Sequence, residues 1–347
     1  MSGRMTLPWR DGAGLSLRAR IAALGAAALV LASVAVVYTV RAADGRAEAT
    51  TVSSAFGLRA KEPRLLFRST RDGSGKGRVA WVPEGGGAPR TTGGPACDRF
   101  HAAAGTGLCV QRQPGLPLRS YAIVLDRKLK EKRRVPLDGI PNRARVSASG
   151  RMLSWTNFAS GDSYNESSFS TRTGILDTRT GYLVKNIENI PLTVDGRRYH
   201  SPDVNFWGVT FAADDNRFYA TVSTKGKTYL IEGDMKKWTA RALRENAECP
   251  SLSPDGRHLA FKKKVSGGGS APWRLHVLDL RTMRERPLAE RRGVDDQALW
   301  LGKSEVAYAL REGGGGSGRS DIWSVRADGT GEPRLRVRDG SSPALLR

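Results

Sequence analysis

Hydrophobic and polar positions divide this chain into two regimes. Residues 21–40, IAALGAAALVLASVAVVYTV, are apolar or small, with no charge among them. At 1.5 Å per residue such a run makes about 30 Å of helix, the thickness of a bilayer's hydrocarbon core. Being apolar on every face, it does not suit the half-buried surface helix of a globular domain. From residue 63 onward the pattern changes to short runs that alternate apolar and polar residues and break at Gly, Pro, Asn or Asp. Alternation with period two predicts strands, and no helical period appears after residue 62.

The stretch SLSPDGRHLAF (251–261) shows the unit most clearly. Pro presets φ for a turn, Asp bonds its own backbone and Gly accepts positive φ, so a tight turn joins two strands. Related units begin at PRLLFRST (63–70), AAGTGLCVQRQ (103–113), SASGRMLSWTNF (147–158), AADDNRFYATV (212–222) and LGKSEVAYALR (301–311). The turn anchors Gly107, Gly150, Asn216, Gly256 and Lys303 are 43, 66, 40 and 47 residues apart. A period of about 40–47 residues with four strands per unit predicts β-propeller blades. The predicted fold is all-β: a six-bladed β-propeller of four-stranded blades, preceded by one N-terminal transmembrane helix. The first blade lacks an inner strand, and the C-terminal SSPALLR is similar to the CPSLSPDG that precedes the clearest turn. The C-terminal segment is therefore expected to close the ring, with residues 53–61 as the alternative.

SLSPDGRHLAF followed by LHVLDLRTMRERPL resembles the Pro-Asp repeat of TolB-like propellers, as do LLFRSTRDG and DIWSVRADGTGEPRL. The resemblance covers about residues 63–347 and is strongest in blades one, five and six. It implies a rigid extracytoplasmic scaffold for protein interaction, although a fold alone does not give a function. TolB carries an α/β domain before its propeller, and this sequence has only some twenty residues between the apolar run and the blades. The partners of TolB therefore cannot be carried over.

The expected organisation is a cytoplasmic tail (1–20), a signal-anchor helix (21–40), a linker (41–62) and the propeller (63–347). Arg4, Arg10, Arg18 and Arg20 precede the apolar run, so the positive-inside rule puts the N-terminus in the cytoplasm and the propeller outside, on the cell membrane. A cleaved signal peptide is the alternative, but its apolar region usually runs only about 7–15 residues. Outside the cytoplasm a disulfide persists. Cys97 and Cys109 are expected on adjacent strands of one hairpin, in bonding range, against the alternative of two reduced, buried thiols. Cys249 reads as a small buried residue.

The formal charge is +22, and about +19 remains beyond residue 40 once four Arg and one Asp are set aside. Such a chain is drawn to polyanions. Given the compartment, these are anionic wall polymer or lipid, not nucleic acid. The densest run, DRKLKEKRR (126–134), reads as a solvated edge strand guarded by charge.

No enzyme motif stands out. Ser317 in GGGGSGR lacks the glycine spacing of a nucleophile elbow, GSGKGR (73–78) is not a phosphate loop, and no H-E-x-x-H occurs. His101, His200, His258 and His276 are scattered and read as surface or turn residues; Asp214 and Asp215 read as a turn. No catalytic residue, metal or cofactor is assigned. The long second-to-third-strand and blade-to-blade loops fall on one face, and the one at 158–172 mixes aromatic and hydrogen-bonding groups. Its Asp162, Tyr164, Asn165, Glu166 and Phe169, with Trp207 from the following connector, are the candidate binding residues. The expected function is a non-catalytic scaffold that binds an envelope or secreted protein. The alternatives are a propeller lyase or hydrolase with its site on the loop-rich face, and a basic module for wall polymer or lipid.

Overall fold

The computed structural model describes residues 16–48, 56–59, 62–85, 90–115, 119–159, 170–265, 272–311 and 318–347. The chain divides into two compact units, residues 1–50 and 51–347.

The first unit is a helix, α1 (Leu17–Glu48), of 32 residues. It overruns the expected 21–40 at both ends. Its stretch Leu17–Val37 is long and apolar enough to cross a membrane. Leu17, Ile21, Leu24, Leu29 and Val34 are all exposed on it.

The second unit is the six-bladed propeller. Blade 1 holds β1 (Arg64–Ser69), β2 (Arg78–Pro83) and β3 (Thr91–Ala96). Blade 2 holds β4 (Arg99–Ala103), β5 (Thr106–Gln113), β6 (Arg119–Leu125) and β7 (Glu131–Leu137). Blade 3 holds β8 (Ile140–Val146), β9 (Met152–Phe158), β10 (Thr171–Asp177) and β11 (Leu183–Val184). A 3-10 turn (Ile187–Asn189) and a hairpin, β12 (Leu192–Val194) and β13 (Arg197–Tyr199), precede blade 4, which holds β14 (Asn205–Phe211), β15 (Arg217–Thr224), β16 (Lys227–Asp234) and β17 (Thr239–Glu245). Blade 5 holds β18 (Glu248–Leu252), β19 (His258–Lys264), β20 (Trp273–Asp279) and β21 (Glu285–Pro287). Blade 6 holds β22 (Leu299–Leu301), β23 (Glu305–Arg311), β24 (Ser320–Arg326) and β25 (Arg334–Val337). The last strand, β26 (Gly340–Leu346), returns to pair antiparallel with β1 and completes blade 1. The C-terminal segment thus closes the ring, as its sequence predicts, and leaves no open edge there.

The tight turns work by the chemistry their residues suggest. In the blade 5 turn, Gly256 has φ +69° and its N–H donates to the Ser253 carbonyl at 2.9 Å. Ser253 Oγ accepts from His258 N–H, and Asp255 accepts from Arg257 N–H. Asp214 does the same for blade 4, accepting from Asn216 and Arg217 N–H while Asp215 takes φ +52°. The paired aspartates are turn residues.

Apolar residues fill six clusters, one in each wedge between neighbouring blades. The period-two geometry of a strand explains this. On β1, Leu65 and Phe67 pack toward blade 6 and Leu66 toward blade 2; on β19, Leu259 and Phe261 pack toward blade 4 and Ala260 toward blade 6. Burying each such Leu or Phe contributes about 1.5–3 kcal/mol. The core therefore lies between blades, and the axis is left to other residues.

Three local differences from the sequence reading have physical reasons. The long connector after blade 3 is not a free loop: β12 pairs parallel with β17, extending that sheet to six strands, and Ile187, Ile190 and Leu192 are buried between blades 3 and 4. Phe56 and Leu58, placed in the linker by sequence, are 3% and 2% exposed in the wedge between blades 1 and 2. Cys97 and Cys109 do form a disulfide, with Cα atoms 5.4 Å apart. Cys97, however, lies in the connector between β3 and β4, so the bond ties that connector to β5. The cationic run 126–134 leads into β7, the outer edge strand of blade 2.

Candidate functional site

Antiparallel topology sorts the connections onto two faces. The inner-to-second-strand turns, such as 147–151, 212–216 and 253–257, lie on one face, here the turn face. Blade-to-blade connectors and second-to-third-strand loops lie on the other, the connector face. The chain enters the propeller on the turn face, where Leu58 N–H donates to the Arg127 carbonyl at 2.8 Å.

Inner strands β4, β8, β14, β18, β22 and β26 surround the axis. Several carry a bulge near their connector-face end. Register shifts between Trp207 and Thr210 on β14 and between Glu248 and Ser251 on β18, and β26 is irregular around Ser342. Gly208, Cys249 and Ser342 take φ of +67°, +50° and +50° at these bulges. A bulge re-aims side chains at a barrel or propeller rim. Gly208 is required there, because a Cβ would stand 2.8 Å from Cys249 Cα.

A polar cluster occupies this axial region. Arg99 and His101 alternate on β4, and Arg143 and Arg145 alternate on β8, so each pair shares one strand face. Lys262 enters from β19, and the connector between β21 and β22 brings Asp295, Asp296 and Gln297. Arg99, His101, Arg143, Arg145, Asp296 and Gln297 line a narrow cavity of about 20 Å³, room for a water-sized group, and Lys262 and Asp295 pair beside it. Lys262, only 3% exposed at its side chain, donates to Asp295 Oδ1 at 2.5 Å and lies 4.0 Å from Glu248. Its ammonium also sits 4.5 Å from the Trp273 ring centre. Arg143 reaches the same Asp295 oxygen at 3.4 Å and its neighbour's Asn142 carbonyl at 3.0 Å. Arg145 donates to the Ala298 carbonyl at 3.0 Å. Gln297 donates to the carbonyls of Val209 and Pro250, fixing the connector to blades 4 and 5.

The cluster is short of acceptors. Arg143 Nε and Arg145 Nε are buried with no hydrogen-bond partner. Arg99 makes no side-chain hydrogen bond or ion pair among the described residues. His101 Nδ1 faces the Val146 N–H at 3.2 Å and Nε2 faces Arg145 Nη1 at 3.1 Å. A neutral imidazole has one acceptor nitrogen, so one of these two donors meets another donor. Burial, and then the Arg145 charge, pushes His101 well below the usual histidine range, so the ring is neutral at pH 7. Burial lowers Arg99 and Arg145 to about 10, with repulsion from Arg143 adding to it, and both keep their charge at pH 7. Asp295 is held down at about 2: burial opposes this, and Lys262 and Arg143 overcome it.

A larger groove of about 850 Å³ lies between blades 4 and 5 on the turn face, lined by Tyr219, Glu232, Arg241, His258 and Asp279 among others. Its main polar groups are already matched: Tyr219 and Arg241 both donate to Glu232, and His258 lies 3.8 Å from Asp279. Volume favours the groove, but unmet hydrogen-bonding capacity favours the axis, and a buried unmatched donor costs roughly 1–3 kcal/mol. The axial cluster is the candidate site.

The axial cluster is not among the residues that the sequence pattern singles out. His101 is buried at the axis rather than at the surface, whereas His200 is exposed. Asp162, Tyr164, Asn165, Glu166 and Phe169 lie outside the described residues. Trp207 is 6% exposed on β14, in the wall of the ring and not on an open surface. The available signal was the alternation R-F-H on β4 and R-A-R on β8, charges at the spacing that should bury one face.

No protein-family model matches the chain, and no curated protein sequence matches it. Solved structures do. The structure of TolB from Acinetobacter baumannii is similar with a TM-score of 0.59 and 16% identity, over 82% of this chain and 66% of that one. The chain thus spans slightly less than two thirds of that protein's length. A nidogen/laminin complex structure is similar with a TM-score of 0.53 and 12% identity, over 82% of this chain and 98% of that one. An oligogalacturonate lyase in complex with manganese matches at a TM-score of 0.40 and 11% identity, over 76% of this chain and 82% of that one, too loosely to bear on activity. What the chain shares with the TolB structure is the fold, a TolB-like six-bladed propeller.

Proposed function

We propose that the chain is a membrane-anchored, extracytoplasmic scaffold whose propeller binds another envelope or secreted protein through its connector face, without catalysis. The carrying observation is the axial cluster, a set of buried cations with unmatched donors at the connector-face end of a rigid closed ring. Strands β9 and β10, β19 and β20, and β23 and β24 are joined at that end, and connections on a rigid frame are where recognition concentrates. An apolar helix of spanning length and a disulfide favour anchoring and an oxidising compartment.

The test is capture on the immobilised full chain in detergent, with solubilised envelope protein and purified wall polymer passed over it at low and physiological salt. A discrete protein retained at physiological salt, and released by Arg143→Met or by replacing residues 158–172, supports the scaffold. Retention of polymer or lipid at low salt alone would mean that the +22 charge is the whole attraction, because exposed charges are screened beyond about 8 Å at physiological ionic strength. Turnover of a substrate by the purified chain would replace the scaffold reading with an enzyme.

A further inference from the structure

We infer that the axial cluster is a binding site for a single protein carboxylate, and that Asp295 of the chain's own connector occupies it in competition with that ligand. The inference rests on the recognition reading above and adds the chemistry of what is recognised.

Charge is the first argument. Four cations, Arg99, Arg143, Arg145 and Lys262, face three carboxylates, Glu248, Asp295 and Asp296, around a neutral His101, and a fifth, the exposed Lys264, reaches Glu248 from solvent. Setting the exposed Lys264 aside, one positive charge is left over beside the buried Arg143, Arg145 and Lys262, where a poorly compensated ion is costly. A monoanion balances it.

Hydrogen bonding is the second argument. The cluster's buried unmatched groups are all donors: Arg143 Nε, Arg145 Nε, and one of the two N–H groups that face His101; the half-buried Arg99 guanidinium adds further donors with no protein acceptor among the described residues. An ionised carboxylate is acceptor-only and fits a guanidinium side by side. A neutral or cationic ligand adds nothing the site lacks.

Asp295 supplies the third. Its carboxylate is 56% exposed, yet its Oδ1 meets both Lys262 and Arg143. The connector therefore presents a carboxylate from the solvent side to buried cations, as a ligand would. Asp296 behaves differently: it is buried and accepts from the Ala309 N–H at 2.9 Å, so it stays in place. With a cavity this narrow, an incoming carboxylate takes the Asp295 position rather than an added one. Either a Glu or Asp side chain or a free C-terminus could bring that group.

Calorimetric titration of the full chain in detergent micelles tests this, with sodium acetate, sodium chloride and inorganic phosphate as probes at matched ionic strength. Two blocked peptides follow, one with a single Glu and an amidated end, the other with Gln and a free C-terminal carboxylate. The expected result is acetate binding without a matching chloride signal, and acetate affinity at least about 10-fold higher in Asp295→Asn, where the internal competitor is neutral; about 10-fold is 1.4 kcal/mol. Arg143→Met should lose acetate binding. Because that variant also removes a buried ion-pair partner of the fold, the gain in the near-isosteric Asp295→Asn is the deciding readout. Binding by the Glu peptide or by the free-C-terminus peptide supports the site and identifies the source. Acetate no better than chloride in both wild type and Asp295→Asn overturns it, as does a preference for phosphate. If acetate binds and no protein is captured, the scaffold reading falls and this site stands. If protein is captured and acetate is silent, the reverse holds.

Discussion

Arg145 Nη1 stands 3.1 Å from His101 Nε2 at the propeller axis, and burial together with that cation keeps the imidazole neutral. The native state therefore refuses a proton that the unfolded chain accepts near pH 6.5. Stability from this group is fully present above that value and is lost as pH falls toward the native pKa, by up to about 1.4 kcal/mol per pH unit. His276, lowered by burial, acts in the same direction. Urea midpoints at pH 7.5 and 5.5 should show wild type losing roughly 1 kcal/mol or more, and His101→Gln should lose less. An equal loss in both would mean that His101 is not the titrating group.

Gly208 is fixed by its neighbour. It takes φ +67° and has no room for a Cβ, which would meet Cys249 Cα at 2.8 Å. Gly208→Ala should cost about 2 kcal/mol or more in urea unfolding, from left-handed strain plus the backbone clash. Gly256→Ala has positive φ but nothing within 4 Å, and should cost less.

The disulfide between Cys97 and Cys109 closes a short loop, with a sequence separation of 12. Cys97→Ser with Cys109→Ser should lower stability by about 3 kcal/mol. Adding reductant should move the wild-type midpoint toward that of the variant and leave the variant unmoved, since Cys249 is free and buried.

Residues 56–58 behave as propeller, not tether. Phe56→Ala should destabilise by about 3–5 kcal/mol and Leu58→Ala by about 2–5, as for any core truncation. Calorimetry of the propeller transition is the measurement. A linker would give values within about 0.5 kcal/mol.

How much of this was legible in sequence depended on what repeats. The turn chemistry recurs in blades two to six, and PRLLFRST with its following strand adds the first blade, so the blade count is legible. The likeness of SSPALLR to CPSLSPDG was enough to place the closing strand. Pairing of β12 with β17 is not readable, because strands of three residues carry no periodic signal and β12 depends on an edge that forms later in the chain. The axial cluster escaped for a different reason. Charges at alternate positions mark out one strand face, but only the ring geometry turns that face inward. Burial of Arg143, Arg145 and Lys262 follows from their place on inner and second strands, which spacing alone does not give.

The most direct test of the account is hydrogen exchange on the full chain, free and bound to a captured protein. Binding at the connector face should slow exchange in the peptides spanning 97–101, 140–146 and 288–298 while leaving the turns at 147–151, 212–216 and 253–257 unchanged. Protection confined to those turns, or to the groove between blades 4 and 5, would contradict it and move the site to the opposite face.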